Sequence, residues 1–123
     1  MPKLTLEYSS NIIEKDEIPS LLKECNHHLC LGIPTPISTC KSMAFECKNY
    51  CAGEGNMSEA FVHIHLQTIR ERTDETLRRI GDSLMRLLQN HFVKSMNTLR
   101  LEITIEINRQ SEFFYKYSSY EDD

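Results

Sequence analysis

The sequence predicts an α/β (α+β) fold built from two β-α-β units, with a four-stranded mixed sheet and two helices on one face. Short segments alternate apolar and polar residues, longer segments carry apolar residues at helical spacing, and the order strand–helix–strand occurs twice. The two units begin at Pro2 and Ala60, which lie 58 residues apart, as expected for a duplicated unit.

The length and composition fit one domain over residues 1–123. With 40% hydrophobic residues, 26% charged residues and only four Gly and four Pro, the chain resembles a folded domain and not a disordered or collagen-like one. A chain of this size buries roughly two thirds of its unfolded surface, so a core can hold it without disulfides or a structural metal. We expect pseudo-repeats over about 2–58 and 60–109, followed by a C-terminal arm at 110–123.

The first unit begins with a strand, because an alternation of apolar and polar residues is typical of a strand with one buried face. The alternation sets the apolar Leu4, Leu6 and Tyr8 against the polar Lys3, Thr5 and Glu7.

A polar stretch from Ser9 to Glu17 follows, and then the first helix. Pro19 suits a first helical turn, and Gly32 is a natural stop. The apolar residues at helical spacing between them are Leu21, Leu22, Cys25 and Leu29.

The connection to the second strand carries two prolines, Pro34 and Pro36, which favour an extended backbone. A weaker strand is predicted from about Ser38 to Cys47, and Gly53 and Gly55 then mark a loop.

The second unit repeats this order from Ala60–Leu66, which has strand composition. Thr73 is the predicted N-cap of the second helix, and Asp74 and Glu75 give that helix an acidic first turn. Its apolar stripe consists of Leu77, Ile80, Leu84, Leu87, Leu88 and Phe92. The last strand runs from Leu99 to Ile107 and alternates without a break, so its second face must meet water or a polar interface.

The residues after Gln110 are too aromatic for a simple linker and too few for a domain. The aromatic side chains are Phe113, Phe114, Tyr115, Tyr117 and Tyr120. We interpret this segment as a docking arm.

Charge and hydropathy argue against several partner classes. Fourteen Lys and Arg against eighteen Asp and Glu give a formal net charge of −4, and no basic run could neutralise several phosphates, so nucleic acid is not an expected partner. No apolar stretch approaches the roughly 20 residues needed to span a membrane, and the start lacks a signal peptide. The expected location is cytoplasmic.

All five cysteines fall in the first half of the chain, and an odd number cannot form a complete disulfide set. His27 and His28 lie between Cys25 and Cys30 and raise a zinc hypothesis, but no pair has the short Cys-x-x-Cys spacing. We therefore favour thiols, with Cys25 and Cys40 as small apolar packing residues.

Pro2 is an unusual candidate for a catalytic residue. The sequence contains no Gly-x-Ser-x-Gly, phosphate loop or His-Glu-x-x-His motif. Removal of Met1 would expose the secondary amine of Pro2 at the edge of a sheet, where a pocket could keep it neutral as a proton acceptor. A Met-Pro start is also frequent in proteins without this role.

Several features occur together in a particular order: the β-α-β duplication, the Met-Pro start on a strand, Ala60-Phe61-Val62-His63, Arg72 before the long helix, His91-Phe92 within it, and Ile105-Glu106-Ile107. In this order they resemble the 5-carboxymethyl-2-hydroxymuconate isomerase family of the tautomerase superfamily. The match extends from Pro2 to about Lys116. It implies a homotrimer in aromatic-compound catabolism that isomerises a small unsaturated carboxylate without metal or organic cofactor, with the N-terminal proline as general acid and base.

The resemblance assigns three residues and leaves alternatives for two. Pro2 matches the catalytic proline, and Arg72 matches a substrate-binding arginine, although it could be an ordinary loop charge. The family carries Arg-Ser-Arg where this chain reads Lys41-Ser42-Met43. Lys41 is therefore a pocket cation that lacks the bidentate fork of Arg, or a side chain that covers apolar surface.

Two further alternatives stay open at this stage. His63 and His65 share a strand face with Phe61, a spacing that two-His metal sites use, but without a convergent carboxylate we favour interface or hydrogen-bonded histidines. A non-catalytic trimer that binds a ligand or protein is the alternative function.

Overall fold

The computed structural model describes residues 2–120 and contains a four-stranded sheet in the order β2-β1-β3-β4. The strands are β1 (Lys3–Ser9), β2 (Lys41–Cys47), β3 (Glu59–Thr68) and β4 (Arg100–Arg109). The helices are α1 (Ile18–Gly32), α2 (Asp74–His91) and α3 (Val93–Thr98). None of the helices within these residues is long and apolar enough to cross a membrane.

The pairing of the strands confirms two β-α-β units joined in the middle of one mixed sheet. β1 runs parallel to β2, and β3 runs parallel to β4, each pair being linked by a helix. β1 and β3 are antiparallel, with Lys3 opposite Gln67 and Tyr8 opposite Val62. The predicted α+β fold class is thus confirmed.

The core lies between one face of the sheet and the helices. Leu4 and Leu6 of β1 are fully buried, as the alternation in that strand predicted. The largest fully buried helical side chains are Leu21, Leu29, Ile80, Leu84 and Leu88. Phe92, which the sequence prediction placed in the stripe of α2, is also fully buried but lies between α2 and α3. Burying these side chains supplies most of the driving force for folding, at about 1.5–3 kcal/mol each. Both long helices therefore cover the same face of the sheet.

The N-cap predicted for α2 is present. The side-chain oxygen of Thr73 accepts a hydrogen bond from the backbone N–H of Thr76 at 3.2 Å. This bond satisfies one of the free amides of the first turn, and it fixes where the loop after β3 becomes a helix.

Two boundaries differ from the sequence prediction. β2 begins at Lys41 and not near Ser38, because Ile37–Thr39 forms a 3-10 turn in which the Cys40 amide donates to the Ile37 carbonyl at 3.0 Å. In the second half, α2 is followed directly by α3, so the chain reaches β4 through an extra helical turn. Glu14 caps this turn from a distant part of the chain, which local patterns do not reveal.

The opposite face of the sheet carries no helix, and we call it the open face. It is formed by the side chains that alternate with the core residues, and the register places them in rows across the four strands. Its polar members include Lys3, Glu7, His63, His65, Glu102, Thr104 and Glu106.

Candidate functional site

Pro2 lies at the end of the sheet where β1 and β2 begin. The residue is buried, and its carbonyl oxygen accepts a hydrogen bond from the Lys41 backbone amide at 3.1 Å. A backbone hydrogen bond therefore joins Pro2, the proposed base, to Lys41, the proposed cation of β2. Met1, whose removal matters to the chemistry, lies outside the described residues.

The segment Lys41-Ser42-Met43 presents its side chains to two different faces. Lys41 is exposed and pairs with Lys3, and Met43 pairs with Thr5, so both belong to the open face. Ser42 belongs to the helix side, where its hydroxyl donates to Oδ1 of Asn26 at 2.5 Å. Lys41 thus supplies the only cation of this segment, and it does so on the open face.

Arg72 precedes the N-cap of α2 and has few partners for its guanidinium. Its Nη2 donates to the carbonyl oxygen of Pro34 at 3.4 Å, a long hydrogen bond. Its Nε is buried and has no hydrogen-bond partner among residues 2–120. An arginine has five N–H donors, and a buried donor left unpaired costs free energy, so this side chain can gain from an incoming carboxylate.

The register places Arg72 at the same end of the sheet as Pro2. Lys3 pairs with Gln67, and β3 ends one residue later at Thr68, four residues before Arg72. Within the described chain, no hydrogen bond joins Arg72 to Pro2 or Lys41. The three predicted residues therefore share one end of the molecule without forming a closed cluster in the single chain.

Positive charge collects at this end although the whole chain is acidic, with a net charge of −4. The basic side chains at this end are Lys3, Lys41, Arg70, Arg72 and Arg109. Such a concentration of cations favours an anionic substrate and raises its local concentration.

Arg109, at the end of β4, is a residue that sequence reasoning did not place in the site. Its Nε and Nη2 donate to the carbonyl oxygen of Arg72 at 3.2 and 3.0 Å, and Nη2 also meets Oδ1 of Asp74 at 2.5 Å. In the sequence, the only indications of this pair were a basic residue at the end of the last strand and acidic residues in the first turn of α2. Pairing them requires the parallel register of β3 and β4, which is known only from the fold.

The two histidines of β3 are hydrogen-bonded side chains, as favoured from the sequence. Nδ1 of His63 lies 2.7 Å from Oγ1 of Thr104, and Nε2 of His65 lies 2.6 Å from Oδ1 of Asn108. Both bonds cross from β3 to β4 on the open face.

The cysteines are free thiols, and Cys25 and Cys40 are buried in the core as predicted. Burial raises the pKa of the Cys25 thiol to about 12, so it stays protonated and inert as a nucleophile. Among residues 2–120, no group of three or more His, Cys, Asp or Glu side chains is arranged to hold a metal ion.

Two cavities lie near this end of the molecule. A cleft of about 700 Å³ between α1 and α2 is lined by His28, Pro34 and Arg79, among others, but not by Pro2, Lys41 or Arg72. A second cavity of about 510 Å³ lies between the loop containing Ile69 and the arm residue Phe114. Neither of these two cavities is lined by Pro2, Lys41 or Arg72.

Comparison with known proteins gives concordant results. The 5-carboxymethyl-2-hydroxymuconate isomerase family model matches residues 2–121. The 5-carboxymethyl-2-hydroxymuconate Delta-isomerase of Escherichia coli is 27% identical over 107 residues, covering 87% of this chain and 85% of that protein. A 5-carboxymethyl-2-hydroxymuconate isomerase structure from Deinococcus radiodurans R1 is 33% identical, with a TM-score of 0.87 over 96% of this chain and 90% of that one.

A more distant structure shares the fold alone. The fused 4-OT wild type symmetric trimer is 15% identical and has a TM-score of 0.64, covering 85% of this chain and 84% of that chain.

Proposed function

We propose that this chain, which belongs to the 5-carboxymethyl-2-hydroxymuconate isomerase family, moves one proton within a small unsaturated carboxylate of the 2-hydroxymuconate type. The observation that carries the proposal is Pro2, buried at the basic end of the sheet and joined through its carbonyl to Lys41. We place the activity in the breakdown of aromatic compounds, as the family resemblance implies, and in the cytoplasm, as expected from the hydropathy of the sequence.

The nitrogen of Pro2 acts as the base in this proposal once Met1 has been removed. An α-amino group titrates near pH 8 when unperturbed, and both burial and neighbouring cations disfavour its charged form. Pro2 is buried, and Lys3 and Lys41 begin the two adjacent strands. The amine is therefore expected to be neutral near pH 7 and able to accept a proton.

The proposed reaction conserves atoms and electrons. The Pro2 nitrogen accepts a proton from a dienol hydroxyl or an acidic carbon, the electron pair left behind shifts along the conjugated chain, and the same nitrogen returns the proton at another carbon. Because no electron leaves the substrate, the step needs no redox partner, and the family resemblance implies that it proceeds without a metal or an organic cofactor.

The two cations hold the substrate and stabilise the developing charge. Arg72 has an unpartnered buried Nε among the described residues, and it suits a carboxylate that accepts two parallel hydrogen bonds. Lys41 supplies a point charge on the open face, where it can meet a second carboxylate or the dienolate oxygen.

We propose a homotrimer as the working assembly. The open face is polar, the outer strands β2 and β4 have unpaired edges, and Lys41 points to that face, so a neighbouring subunit would both cover the sheet and complete the site.

The test compares three forms of the chain with 5-carboxymethyl-2-hydroxymuconate as substrate. Pro2→Ala with Met1 removed should lose about 10²–10⁴ in kcat, the usual contribution of general acid–base catalysis, while keeping its circular dichroism spectrum. A chain that retains Met1 should be equally inactive, because its Pro2 nitrogen is an amide. Pro19→Ala, at the first turn of α1, is the matched control and should retain activity.

Intact mass of the protein from its native host establishes whether Met1 is removed. Wild-type turnover in both Pro2→Ala and the Met1-retaining form would exclude Pro2 from the mechanism. Absence of turnover in the processed wild type, with retained binding of this tricarboxylate, would instead support a non-catalytic ligand-binding trimer.

A further inference from the structure

We propose that Arg109 is a positioning residue that fixes the backbone of Arg72 and thereby sets the affinity of the site for substrates with two or more carboxylates. The inference rests on the proposed function, because it takes Arg72 as a cation that binds a substrate carboxylate.

The contacts of Arg109 form a clamp between three elements. Arg109 is the last residue of β4, and its Nε and Nη2 both donate to the carbonyl oxygen of Arg72 in the loop after β3. Nη2 also contacts the carboxylate of Asp74, the first residue of α2. One guanidinium therefore ties the end of a strand to the loop and to the start of a helix.

The carboxylate end of the clamp is electrostatically consistent. The hydrogen bond and the charge of Arg109 lower the pKa of Asp74 below its ordinary value. The carboxylate therefore remains ionised through the neutral range, and the contact stays charge-assisted. Because this pair is exposed, its role here is geometric, and we assign it no large share of stability.

Arg72 needs such support because its own side chain is weakly anchored. Its one hydrogen bond within residues 2–120 is the 3.4 Å contact to Pro34, and its Nε is unpartnered. The backbone of Arg72 is instead fixed by the hydrogen bonds that its carbonyl oxygen accepts from Arg109. The planar guanidinium of Arg109 donates two hydrogen bonds to this carbonyl and also contacts the Asp74 carboxylate. The single ammonium of a lysine cannot make all of these contacts, so Lys is not an equivalent residue at position 109.

The kinetic test uses 5-carboxymethyl-2-hydroxymuconate and a pair of arginines on the same strand. Arg109→Ala should raise KM by about fivefold or more and change kcat by less than about twofold, since it disturbs binding and not proton transfer. Arg109→Lys should show the same raised KM. Arg100→Ala, which removes the 2.7 Å ion pair with Glu59 at the other end of β4, should leave both constants unchanged.

A double mutant separates positioning from a general structural effect. In the Arg72→Ala background, Arg109→Ala should cause no further rise in KM, because the group that it positions is gone. An equal rise in both backgrounds would overturn the proposal, and so would a wild-type KM in Arg109→Ala or Arg109→Lys.

Hydrogen exchange supplies a readout that does not depend on turnover. Amides of residues 70–73 should exchange faster in Arg109→Ala than in the wild type or in Arg100→Ala, and unchanged exchange would overturn the clamp. If Arg72→Ala has full activity, the proposed function fails at Arg72. If Arg72→Ala is impaired and Arg109→Ala is not, the proposed function stands and the clamp fails.

Discussion

At the scale of single residues, Lys41 is the clearest departure from the pattern that the family resemblance implies. It stands where that pattern has the first arginine of Arg-Ser-Arg, and Met43 stands where it has the second, a difference of one charge and two planar forks on the open face. Its ammonium is a point charge on a flexible stem and cannot form the bidentate contact to a carboxylate. Affinity for a dicarboxylate is therefore expected to depend more heavily on Arg72.

Lys41→Arg tests whether this departure reshapes the pocket. We expect the substitution to preserve or raise kcat/KM for 5-carboxymethyl-2-hydroxymuconate, because it restores a bidentate donor at the same register position. Lys3→Arg, on the neighbouring position of β1, is the control and should have little effect. A loss of tenfold or more in kcat/KM in Lys41→Arg, but not in Lys3→Arg, would show a pocket adapted to another substrate. Such a loss corresponds to about 1.4 kcal/mol of transition-state binding.

Glu14 is a second informative residue, because it is a carboxylate that is only 5% exposed. Its oxygens accept hydrogen bonds from the Lys94 amide at 2.8 Å and from the Ser95 amide and hydroxyl at 3.2 and 2.5 Å. Burial alone would raise the pKa of Glu14, but these hydrogen bonds lower it below its ordinary value. The loop before α1 is thus fastened to the start of α3.

The sign of this shift predicts weakening in acid. Because the folded chain lowers the pKa of Glu14, the contribution of this carboxylate is complete above the unfolded pKa and is lost as the pH falls through the folded pKa. Glu14→Gln should destabilise the protein by about 1.5–3 kcal/mol at pH 7, and by less at low pH. Urea unfolding at several pH values measures this difference. The exposed Asp16→Asn is the control, and an equal loss at all pH values would contradict the assignment.

At the scale of elements, two glycines lie where helices meet their neighbours and make opposite predictions. A Cβ on Gly32, at the end of α1, would lie 2.1 Å from Cδ1 of the buried Ile80, so the two helices pack too closely for a methyl group. A Cβ on Gly81, inside α2, would lie 3.5 Å from Cδ1 of Ile107, which is an ordinary contact.

Gly32→Ala should therefore destabilise the protein by about 1–3 kcal/mol through overpacking. Gly81→Ala should stabilise it by about 0.5–1 kcal/mol, since alanine loses less backbone entropy in a helix. Thermal or urea denaturation of the two variants side by side provides the measurement. A change in stability of the same sign in both variants would contradict the close contact between Gly32 and Ile80.

The elements that the sequence predicted well are those with a strong local period. β1, β3, α2 and β4 follow alternation or a helical stripe, and Thr73 caps α2 where its side-chain chemistry indicates. The 3-10 turn before Lys41 is held by a local hydrogen bond from Cys40 to Ile37, which the alternation of apolar residues does not reveal. The short α3 depends on contacts between residues far apart in the chain, such as those of Glu14 with Ser95, and local patterns could not show it.

The same distinction holds for the candidate site. Pro2, Lys41 and Arg72 were selected by resemblance, and the register brings them to one end of the sheet. The clamp of Arg109 joins residues 35 and 37 positions apart through the pairing of β3 with β4, so it required the fold. The roles of the three residues remain predictions for the kinetic tests.

At the scale of the whole molecule, the surface carries several apolar side chains that a lone chain leaves in water. The arm residues Phe113, Tyr115 and Tyr117 are 75%, 90% and 90% exposed. Phe45 on β2 is 53% exposed and lies beside the open face. Aromatic residues are enriched at interfaces, so we expect the arm and this face to contact a neighbouring subunit.

Light scattering after size exclusion should report three subunits for the full chain. Truncation after Arg109 removes the aromatic side chains and should shift the equilibrium toward smaller species at micromolar concentration. Tyr115→Ser should act in the same direction, with a smaller effect. The matched control is Leu31→Ser, because Leu31 is 82% exposed on the helix side, away from the open face, and its loss should leave assembly unchanged.

The proposed trimer would also link assembly to catalysis, and this link can be tested. If Lys41 meets substrate beside a neighbouring subunit, diluting the truncated chain should lower kcat/KM in step with dissociation, whereas a site complete in one chain would be insensitive to dilution. A stable monomer at micromolar concentration with full turnover would contradict both the assembly and the shared site. A monomer that is inactive and regains turnover as trimers form would place the site between subunits.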